Sequence, residues 1–502
     1  MSSALLCTAN VTNNRLSSSI IILYPLYPLK LFLYIPISTR RFCLEKYSGA
    51  MVIPWSLDEL YGYLAEFQAL FWEKGLPSTE TWIAYAVFFF AQIFLAAIVP
   101  AYVMDGLPTA PHGKRLKYYC NGYLTFYICL VLLLVADSTY REYGYGYDLT
   151  TIAEHFGEYL IASIIIGDVT SVFWYIYGLV ISQPGVSPVT GIIPYDFFMG
   201  TCLYPRVYLG FGMEVDIKMI AEARWSWFTL SFTTLSLTLQ QYRRDGSVSF
   251  QMFTLLVAHV LYTNACVKGE HCIPPTWDMF YEKFGWMLNF WNISGVPFMY
   301  VLQAVYVSKN RELISNNFPY DYSMTIGGYE ITPFSIFVFC TLIVGYYIFD
   351  SANHQKAFFK TKIKRNTFPL VPWSIIEEPV KYIQTPKGKL LVDGWYAFGR
   401  KLQYTGDILM ALAWGMCCGF HSPLPYFYAL FFTSMISHRQ WRDEIRCREK
   451  YGIYWDKFTE LVPNVFVPST SFIKWWLTGE HPISRKTLKE IEKLKDDDKK
   501  KK

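Results

Sequence analysis

The chain has 502 residues, of which 53% are hydrophobic, 19% are aromatic and only 17% are charged. Soluble proteins average about one quarter charged residues, so this composition excludes ordinary soluble domains, a disordered chain and a disulfide scaffold. The formal charge is +5, and the last 18 residues, Arg485 to Lys502, supply +4 of it. The nearly neutral remainder excludes a nucleic-acid-binding surface. The 11 cysteines form no CxxC pair, so no metal site is predicted.

The first 80 residues divide into two parts. Residues 1–50 form an N-terminal extension with one weak apolar segment, Ile20 to Ile37, which is interrupted by Lys30 and three prolines. This extension is either a signal anchor or a stretch that is not translated, because Met51 begins an ordinary acidic leader over residues 51–80.

Stretches long enough to cross a membrane recur after residue 80, since a membrane helix needs about 20 mostly apolar residues. The predicted spans are 81–104, 118–136, 157–182, 225–241, 249–267, 284–307, 331–349, 405–420 and 422–437. The predicted fold class is therefore all-α, a polytopic membrane protein of about nine to ten transmembrane helices. We expect a multi-span domain over residues 81–470 and a basic cytosolic tail over residues 471–502.

Lysine and arginine counts predict which loops face the cytosol. Three basic stretches fall on one side by alternation: Gly113–Lys117, Gln183–Arg224 and Asp350–Gln403. The opposite loops are acidic, which agrees, although Arg243 and Arg244 lie on the acidic side and count against this orientation. Nine spans place the C-terminus in the cytosol, where Lys499 and Lys500 stand at the positions of a dilysine retrieval signal. The predicted location is the endoplasmic reticulum membrane, with anionic lipid near the tail as the simpler interpretation of those lysines.

Ionisable groups gather where apolar spans end, first in the stretch Cys266 to Gly285. If a helix begins near Thr276, Asp278 and Glu282 are four residues apart on one face. Two poorly solvated carboxyls repel each other, so at least one acts as an acid near neutral pH. The alternative is that Asp278 caps the helix and Glu282 pairs with its neighbouring lysine.

A second stretch, His354 to Arg365, is basic, with Lys356, Lys360 and Lys364 at helical spacing on one face. Such a row can hold a polyanion such as a dinucleotide with a 2′-phosphate. The alternative is a loop whose charges only set the topology. A third stretch, Leu390 to Asp407, combines glycine, aromatic and basic residues ahead of an apolar span.

The fourth stretch follows the last span, and there Arg439, Arg442 and Arg446 form one helical stripe. Basic groups interleaved with Trp441 and Tyr451 suit a phosphorylated aromatic nucleotide, whereas an amphipathic helix on anionic lipid is the alternative. No GxGxxG motif follows a strand, so a dinucleotide would be held without a Rossmann unit.

Two long motifs carry a resemblance to a known family: GIIPYDFFMGTCLYPR at Gly191–Arg206 and ISHRQWRDEIRCREKYG at Ile436–Gly452. With these motifs the chain resembles the membrane sterol reductases, which include sterol C-14 reductases, the lamin B receptor and 7-dehydrocholesterol reductase. Within that family, residues 264–298 are similar to the fungal C-24(28) reductase branch, because the chain has WNISGVPF where C-14 and C-7 reductases typically have a GD pair.

The resemblance implies that NADPH enters a cytosol-facing pocket within residues 350–460 and that sterol reaches it from the bilayer. The residues matching the family's cofactor contacts are Lys356, Lys360, Leu391, Tyr396, Gln403, Tyr404, Asp443, Cys447, Arg448, Lys450, Tyr451 and Phe458. The basic stretches themselves add Arg400, Arg439 and Arg442. Gln403, Tyr396 and Phe458 depart from the family's usual Asn, Trp and Tyr, so the affinity or pose of NADPH is expected to differ.

Reduction of an isolated alkene requires an acid that protonates one carbon while hydride is delivered to the other. We expect Asp278 or Glu282 to supply the proton, with Tyr281 or Tyr404 as a relay. The predicted function is NADPH-dependent reduction of the C-24(28) double bond of a sterol, the final step of ergosterol-type biosynthesis. C-14 or C-7 reduction is the alternative within the enzyme class, and a membrane transporter is the alternative outside it. The sequence leaves the oligomeric state open.

Overall fold

The computed structural model describes residues 76–109, 113–181, 189–210, 213–311, 324–326, 329–361 and 381–484, together with Ile314 and Thr487. The predicted apolar segment at residues 20–37, nearly all of the acidic leader, Lys364 and the terminal lysines lie outside the described residues.

Helices dominate the described chain. Up to residue 268 the elements are α1 Thr79–Ile98, β1 Tyr102–Pro108, β2 Arg115–Cys120, α2 Gly122–Tyr143, α3 Thr151–Glu154, α4 Phe156–Val180, α5 Ile193–Met199, β3 Arg206–Gly210, β4 Met213–Asp216, α6 Ile217–Ile220, a π-helix Ala221–Trp225, α7 Ser226–Asp245 and α8 Phe250–Lys268.

The second half continues the helical bundle and ends in a smaller unit. Its elements are a 3₁₀ turn Glu270–Cys272, α9 Trp277–Phe280, α10 Trp286–Phe290, a π-helix Trp291–Gly295, α11 Val296–Met299, α12 Leu302–Lys309, β5 Met324–Ile326, β6 Tyr329–Ile331, α13 Pro333–Thr361, β7 Tyr382–Thr385, β8 Gly388–Leu391, a 3₁₀ turn Gly394–Ala397, α14 Leu402–Met416, a 3₁₀ turn Leu424–Tyr426, α15 Phe427–Tyr451, α16 Ile453–Leu461 and α17 Ser471–Thr478.

Five helices of the described chain are long and apolar enough to cross a membrane: α1, α2, α4, α8 and α13. Helix α7 coincides with a predicted span but is rich in Ser and Thr, and twelve of its 20 residues are buried among other helices. Helix α14 has only 15 residues, and the C-terminal half of α15 is charged. The structure thus confirms a largely helical protein with membrane-spanning candidates, while length and composition support fewer spans than nine.

The predicted span at 284–307 is not one regular helix. It is divided into α10, a π-helix, α11 and α12. Pro297 has no backbone N–H to continue the helical ladder, and a side chain at Gly295 would lie 2.6 Å from the ring of Trp291. These two residues explain why an unbroken apolar run does not fold as an unbroken helix.

Four two-stranded antiparallel hairpins in the described part of the chain depart from the all-α prediction. They are short pairings in the connections between helices, β1–β2, β3–β4, β5–β6 and β7–β8. Backbone groups near a membrane must find partners within the protein, and a hairpin pairs them where a connection leaves a helix.

The described chain contains five hydrophobic clusters, and two of them are central to the second half of the molecule. The larger core joins α7, α8, α11, α12, α13, α14 and α15. The smaller core lies beyond the bundle, where the β7–β8 hairpin packs against α16 and the start of α14 through Ile383, Leu402 and Trp455. The cationic residues of the site described next come from α13, from the chain between β8 and α14, and from α15.

Candidate active site

A cluster of cations occupies the junction of α13, α14 and α15. The ammonium group of Lys401, the residue before α14, contacts the carboxylate of Asp443 on α15. Lys356, in the last turns of α13, lies with its Nζ 5.4 Å from the ring centroid of Tyr396. Lys356 and Lys360 are electrostatic neighbours of Lys401 and Asp443. The predicted lysine row therefore continues a helix that begins as a candidate membrane span, and it meets the C-terminal basic stretch in space.

The charges of this cluster do not balance. Burial opposes ionisation of Asp443, but the neighbouring ammonium of Lys401, with Lys356 and Arg439, outweighs it and lowers the pKa of Asp443 to about 2. Within the described chain, neither Lys356 nor Lys360 forms an ion pair. Nearby cations in excess over carboxylates favour an anion with several oxygen acceptors, such as a phosphate.

The wall of this cluster comes from the chain between β8 and α14. Leu391 ends β8 and is buried, and the buried hydroxyl of Tyr396 donates to the carbonyl of Ala352 and to Oε1 of Gln403, both at 3.3 Å. Tyr396 thus joins α13 to α14 at the level of Lys356. Predicted cofactor residues that are far apart in the sequence are brought together here.

The last predicted stretch reaches the cluster on one face only. Cys447 is an electrostatic neighbour of Asp443 and Lys401, and burial raises the pKa of its thiol to about 11. Lys450 is a neighbour of Lys360, and its ammonium lies 4.8 Å from the ring centroid of Tyr451.

Three other predicted cofactor residues are engaged elsewhere in the structure. Arg400 donates to the carbonyls of Val462 at 2.7 Å and Pro463 at 2.9 Å, which fixes the chain after α16. Phe458 packs inside the smaller core, and Arg448 is largely exposed and pairs with an aspartate of α16 at 3.5 Å. Arg442 is half-buried on α15 beside Asp443.

A second cluster contains the predicted acids, but not on one helical face as expected. Helix α9 ends at Phe280. The chain then turns toward Cys202, and the N–H of Phe284 donates to the carbonyl of Cys202 at 2.7 Å. Asp278 is only 2% exposed and Glu282 only 5% exposed. Burial raises the pKa of Glu282 to about 8, and the nearby charge of Asp278 adds to this effect. The turn, and not a helix face, brings the two carboxyls together.

This turn is held by close backbone packing against the first sequence motif. Gly200 has a φ of +94°, and a side chain there would lie 2.4 Å from the backbone nitrogen of Gly285. Only glycines permit the two segments to approach this closely. The motif at residues 191–206 therefore supports the loop that carries the acids.

Arg439 connects the two clusters. Burial disfavours its charged form, but Tyr404, Asp278, Asp443 and Glu282 outweigh that effect and raise its pKa. This guanidinium lies between the cationic junction and the buried acids. Arg439 is thus an electrostatic neighbour both of Asp443 in the cationic junction and of the buried acids Asp278 and Glu282.

Comparison with known proteins matches this chain to one family and to three relatives. The model of the ergosterol biosynthesis ERG4/ERG24 family matches residues 27–470. A protein of Gibberella zeae named Delta(24(24(1)))-sterol reductase is 38% identical over 424 residues, covering 82% of this chain and 66% of the relative. One of Aspergillus fumigatus with the same activity in its name is 35% identical, covering 84% and 86%. A Delta(14)-sterol reductase of Methylotuvimicrobium alcaliphilum is 31% identical, covering 79% and 85%.

The chain belongs to the ergosterol biosynthesis ERG4/ERG24 family.

The predicted relay residues of this family member differ in position. Tyr404 adjoins Lys401, whose ammonium is 5.7 Å from its ring centroid, and it is a neighbour of Arg439. Tyr281 is 48% exposed, whereas the acids beside it are buried. The structure therefore brings Tyr404 to the site and leaves Tyr281 at its edge.

Two buried groups of the site were not predicted from the sequence. Lys218 is fully buried in α6, and Glu222 is buried in the following π-helix. Both lie about 60 residues before the acids, and only the folded chain brings them together. The sequence signal for these two residues was only their charge shortly before a predicted span, and this signal is too weak to identify site residues. Within the described chain, no group of three or more His, Cys, Asp or Glu side chains could hold a metal ion.

Proposed function

We propose that this chain is an NADPH-dependent Δ24(24(28))-sterol reductase that completes an ergosterol-type side chain. The fungal relatives carry Delta(24(24(1))) in their names, and C-24(1) is the methylene carbon also numbered C-28. The observation that carries the proposal is the position of Arg439. It is an electrostatic neighbour both of Asp443 in the cationic junction, which suits a dinucleotide phosphate, and of Glu282, a buried carboxyl with a raised pKa.

The residues of the cationic junction fit NADPH. Lys356 and Lys360 lie beside Lys401 and Asp443 and form no ion pair in the described chain, so a 2′-phosphate or pyrophosphate would supply the anion that these amines lack. Leu391, Tyr396 and Gln403 form the wall where a nucleotide would be held. Asp443 pairs with Lys401 and holds that ammonium group beside Lys356 and Lys360. When bound, NADPH supplies the hydride.

The chain itself supplies the proton. With a pKa of about 8, Glu282 is mostly protonated at neutral pH and can donate to the methylene carbon of a 24(28)-alkene. Protonation there leaves a tertiary cation at C-24, which accepts the hydride; one C–H bond forms at each former alkene carbon. Tyr404 and Arg439 stand between the acid and the cofactor residues and can relay or stabilise charge.

The proposed setting is the endoplasmic reticulum membrane, with the sterol entering from the bilayer and the C-terminus in the cytosol. We propose about nine spans, the five apolar helices plus α7, α14, the apolar first half of α15 and the interrupted segment from α10 to α12. Helices α7 and α14 and the interrupted segment are largely buried among other helices and therefore need less apolar surface. The site then lies at the cytosolic end of a domain over residues 81–470, between the acidic leader and the basic tail.

The decisive experiment incubates membranes containing the full chain with NADPH and, separately, a Δ24(28), a Δ14 and a Δ7 sterol. Mass spectrometry should show two added hydrogens only in the first. The double variant Lys356→Met/Lys360→Met should raise the KM for NADPH at least about tenfold, since a charge-assisted hydrogen bond contributes about 1.5–3 kcal/mol. The matched control is Lys474→Met, which removes an exposed lysine paired with Glu480 at 2.8 Å and should change nothing.

Two outcomes would contradict the proposal. No reduction of any sterol would refute the proposed activity. Equal KM values for NADPH in the double variant and in Lys474→Met would refute the assigned cofactor site. Reduction of the Δ14 sterol alone would favour the second candidate, which the relatives named Delta(14)-sterol reductase support at 31% identity.

A further inference from the structure

One aspartate lies in the middle of a candidate membrane span and faces outward. Asp168 is the thirteenth of the 25 residues of α4, and it is exposed. Ile165 and Val172, one helical turn away on the same face, are also exposed, as expected of a surface that contacts lipid. A carboxyl inside a bilayer is costly, and such residues usually take part in function.

The other aspartates of the candidate spans have cationic partners, whereas Asp168 has none in the described chain. Asp137 pairs with an arginine of α7 at 2.5 Å, and Asp350 pairs with a lysine of α8 at 2.7 Å. The hydrogen bond that Asp168 forms comes from the indole N–H of Trp286, the first residue of α10, which donates to Oδ1 at 2.7 Å. The second carboxyl oxygen, Oδ2, is therefore available to another group.

This indole bond is not needed to join α10 to α4. The amide nitrogen of Asn289, which is fully buried, lies 2.7 Å from the hydroxyl of Thr170 and 3.0 Å from that of Ser171. The two helices also pack closely, since a side chain at Gly167 would lie 3.1 Å from the ring of Phe290. Contact between the helices alone therefore does not explain a carboxyl at this position.

Flat aromatic surface adjoins the carboxyl. The ring of Trp286 stacks on that of Phe290, with centroids 4.5 Å apart, and lies 5.7 Å from the ring of Phe198 on α5. Trp286 is only half-buried, so part of its ring is available to a ligand. A carboxyl oxygen next to an aromatic ring suits a molecule that has a rigid apolar ring system and one hydroxyl group.

Helix α4 also relates Asp168 to the proposed acid. Six residues further along α4, the ring centroid of Trp174 lies 6.0 Å from that of Phe284, which is two residues after Glu282. An α-helix rises 1.5 Å per residue, so Asp168 lies about 9 Å along α4 from this contact. Because α4 ends on the cytosolic side in the proposed orientation, Asp168 lies deeper in the bilayer than the acid loop.

The proposed reaction needs a polar group at such a depth. The C-24 double bond and the C-3 hydroxyl lie at opposite ends of a sterol. When the alkene contacts Glu282 near the cytosolic end, the hydroxyl points back into the bilayer, where no water is available to bond it. A hydroxyl without a partner is unfavourable there, and a carboxyl oxygen would satisfy it.

On this basis, which rests on the proposed function, we propose that Asp168 binds the 3β-hydroxyl of the sterol substrate. The N–H of Trp286 holds Oδ1, Oδ2 bonds to the sterol hydroxyl, and the indole ring lies against the sterol rings. This lipid-facing site on α4 selects sterols with a free hydroxyl group.

Binding can be measured without NADPH. The purified full chain in nanodiscs is titrated with a radiolabelled 24(28)-methylene sterol and, separately, with its 3-deoxy analogue. The wild type should bind the hydroxylated sterol at least about tenfold more tightly, as expected for a hydrogen bond to a carboxylate. Asp168→Leu should bind both sterols with the affinity that the wild type has for the 3-deoxy analogue. Asp168→Asn can still bond the hydroxyl and should keep most of the preference.

Val169→Leu is the matched control, because it changes the next exposed residue of α4 and should bind both sterols as the wild type does. A merely structural role for Asp168 would lower the thermal unfolding midpoint of Asp168→Leu, as Asn289→Ala should, and would leave the ratio of the two dissociation constants unchanged. If Asp168→Leu does not fold, Asp168→Ser replaces it, since membrane helices tolerate serine and its short side chain does not extend as far as a carboxyl.

Retention of the tenfold preference in Asp168→Leu, or its absence from the wild type, overturns the hydroxyl site. Parallel assays with NADPH separate this outcome from failure of the proposed function. A wild type that binds with this preference but reduces no sterol refutes the proposed function and leaves the hydroxyl site intact. An active enzyme whose preference is the same in Asp168→Leu refutes the hydroxyl site alone.

Discussion

Buried carboxyls in this protein are of two kinds, and the difference indicates which of them take part in chemistry. Glu270 pairs with Arg224 at 3.2 Å, and its other oxygen accepts from the backbone N–H of Gly122 at 2.6 Å. In contrast, Oδ1 of Asp278 and Oε2 of Glu282 find no hydrogen-bond partner in the described part of the chain. An unsatisfied buried oxygen costs about 1–3 kcal/mol, so its retention is explained better by function than by stability.

At Glu282 this difference gives a prediction about catalysis. Glu282→Gln replaces a mostly neutral carboxyl by a neutral amide of the same shape, so the fold should be retained. The variant has no proton to donate, and general-acid catalysis contributes about 10²- to 10⁴-fold. We therefore expect kcat to fall by about that factor, measured as product formed per quantity of folded protein in membranes.

The control is Glu214→Gln, which removes a carboxyl that is 49% exposed and pairs with Arg206 at 3.3 Å on the nearby hairpin. It should keep wild-type turnover. If Glu282→Gln and Asp278→Asn are both as active as Glu214→Gln, the proton comes from another group.

The sequence predicts one part of this site and conceals the other. Asp278 and Glu282 stand out because charged residues next to apolar spans are rare. Lys218 could not be recognised, because its ammonium donates to carbonyl groups, which every residue has, and only the fold brings Leu203 and Met279 to it. Tyr281 is next to Glu282 in the sequence, yet it is 48% exposed, because α9 ends at Phe280 and the chain turns there.

Among the helices, the crossing of α13 and α14 decides whether the proposed cofactor residues meet. A side chain at Gly406 would lie 2.5 Å from the carbonyl oxygen of Gly345 and 2.6 Å from the backbone nitrogen of Phe349. Small residues at helix crossings permit this approach of backbones inside membranes. The positions of Lys356 on α13 and Gln403 on α14 therefore depend on the close approach of Gly345 and Gly406.

Gly406→Ala should separate the two helices. Overpacking costs about 1–3 kcal/mol, so the thermal unfolding midpoint in detergent should fall, and NADPH should bind more weakly because α14 carries Gln403 and Tyr404. Gly157→Ala on α4 is the matched control, since a side chain there meets nothing within 4 Å. That variant should be unchanged or slightly stabilised, and equal midpoints for the two variants would contradict the tight crossing.

The positions of lipid-facing helices can be predicted from the sequence better than those of segments that face protein. The lipid-facing helices α1, α2 and α4 have continuous apolar surface, and their spans were predicted at nearly the observed places. The interrupted segment from α10 to α12 faces protein, where packing against neighbours permits π-helices and breaks that hydropathy does not show. The hairpins were missed because each pairs only a few residues.

On the scale of the whole molecule, ion pairs remove the main objection to the predicted orientation. Arg243 counted as positive charge on the acidic side, but it pairs with Asp137 at 2.5 Å and Asp148 at 2.6 Å. Arg244 pairs with Asp245 at 2.7 Å. Carboxylates therefore offset much of the charge of Arg243 and Arg244, although Asp245 also pairs with Arg311 at 3.0 Å, and this reduces the effect of these arginines on the orientation. At the cationic junction, by contrast, Lys356 and Lys360 form no ion pair within the described residues, and only Lys401 is paired there, with Asp443.

This balance predicts that the turn after α2 faces the lumen and the C-terminal tail faces the cytosol. An Asn-Gly-Ser acceptor flanked by a short linker and inserted at Tyr145, which is 73% exposed, should be glycosylated in microsomes. The same acceptor added after Lys502 should remain unmodified, and an epitope there should be digested by protease added to sealed vesicles. In the protein with the acceptor at Tyr145, Asp137→Asn and Asp148→Asn remove the partners of Arg243. The free arginine should then favour the cytosolic side, so the glycosylated fraction of this protein should fall. Glycosylation of the C-terminal acceptor would place the cationic junction in the lumen, away from cytosolic NADPH, and would contradict both the orientation and the proposed route of the cofactor.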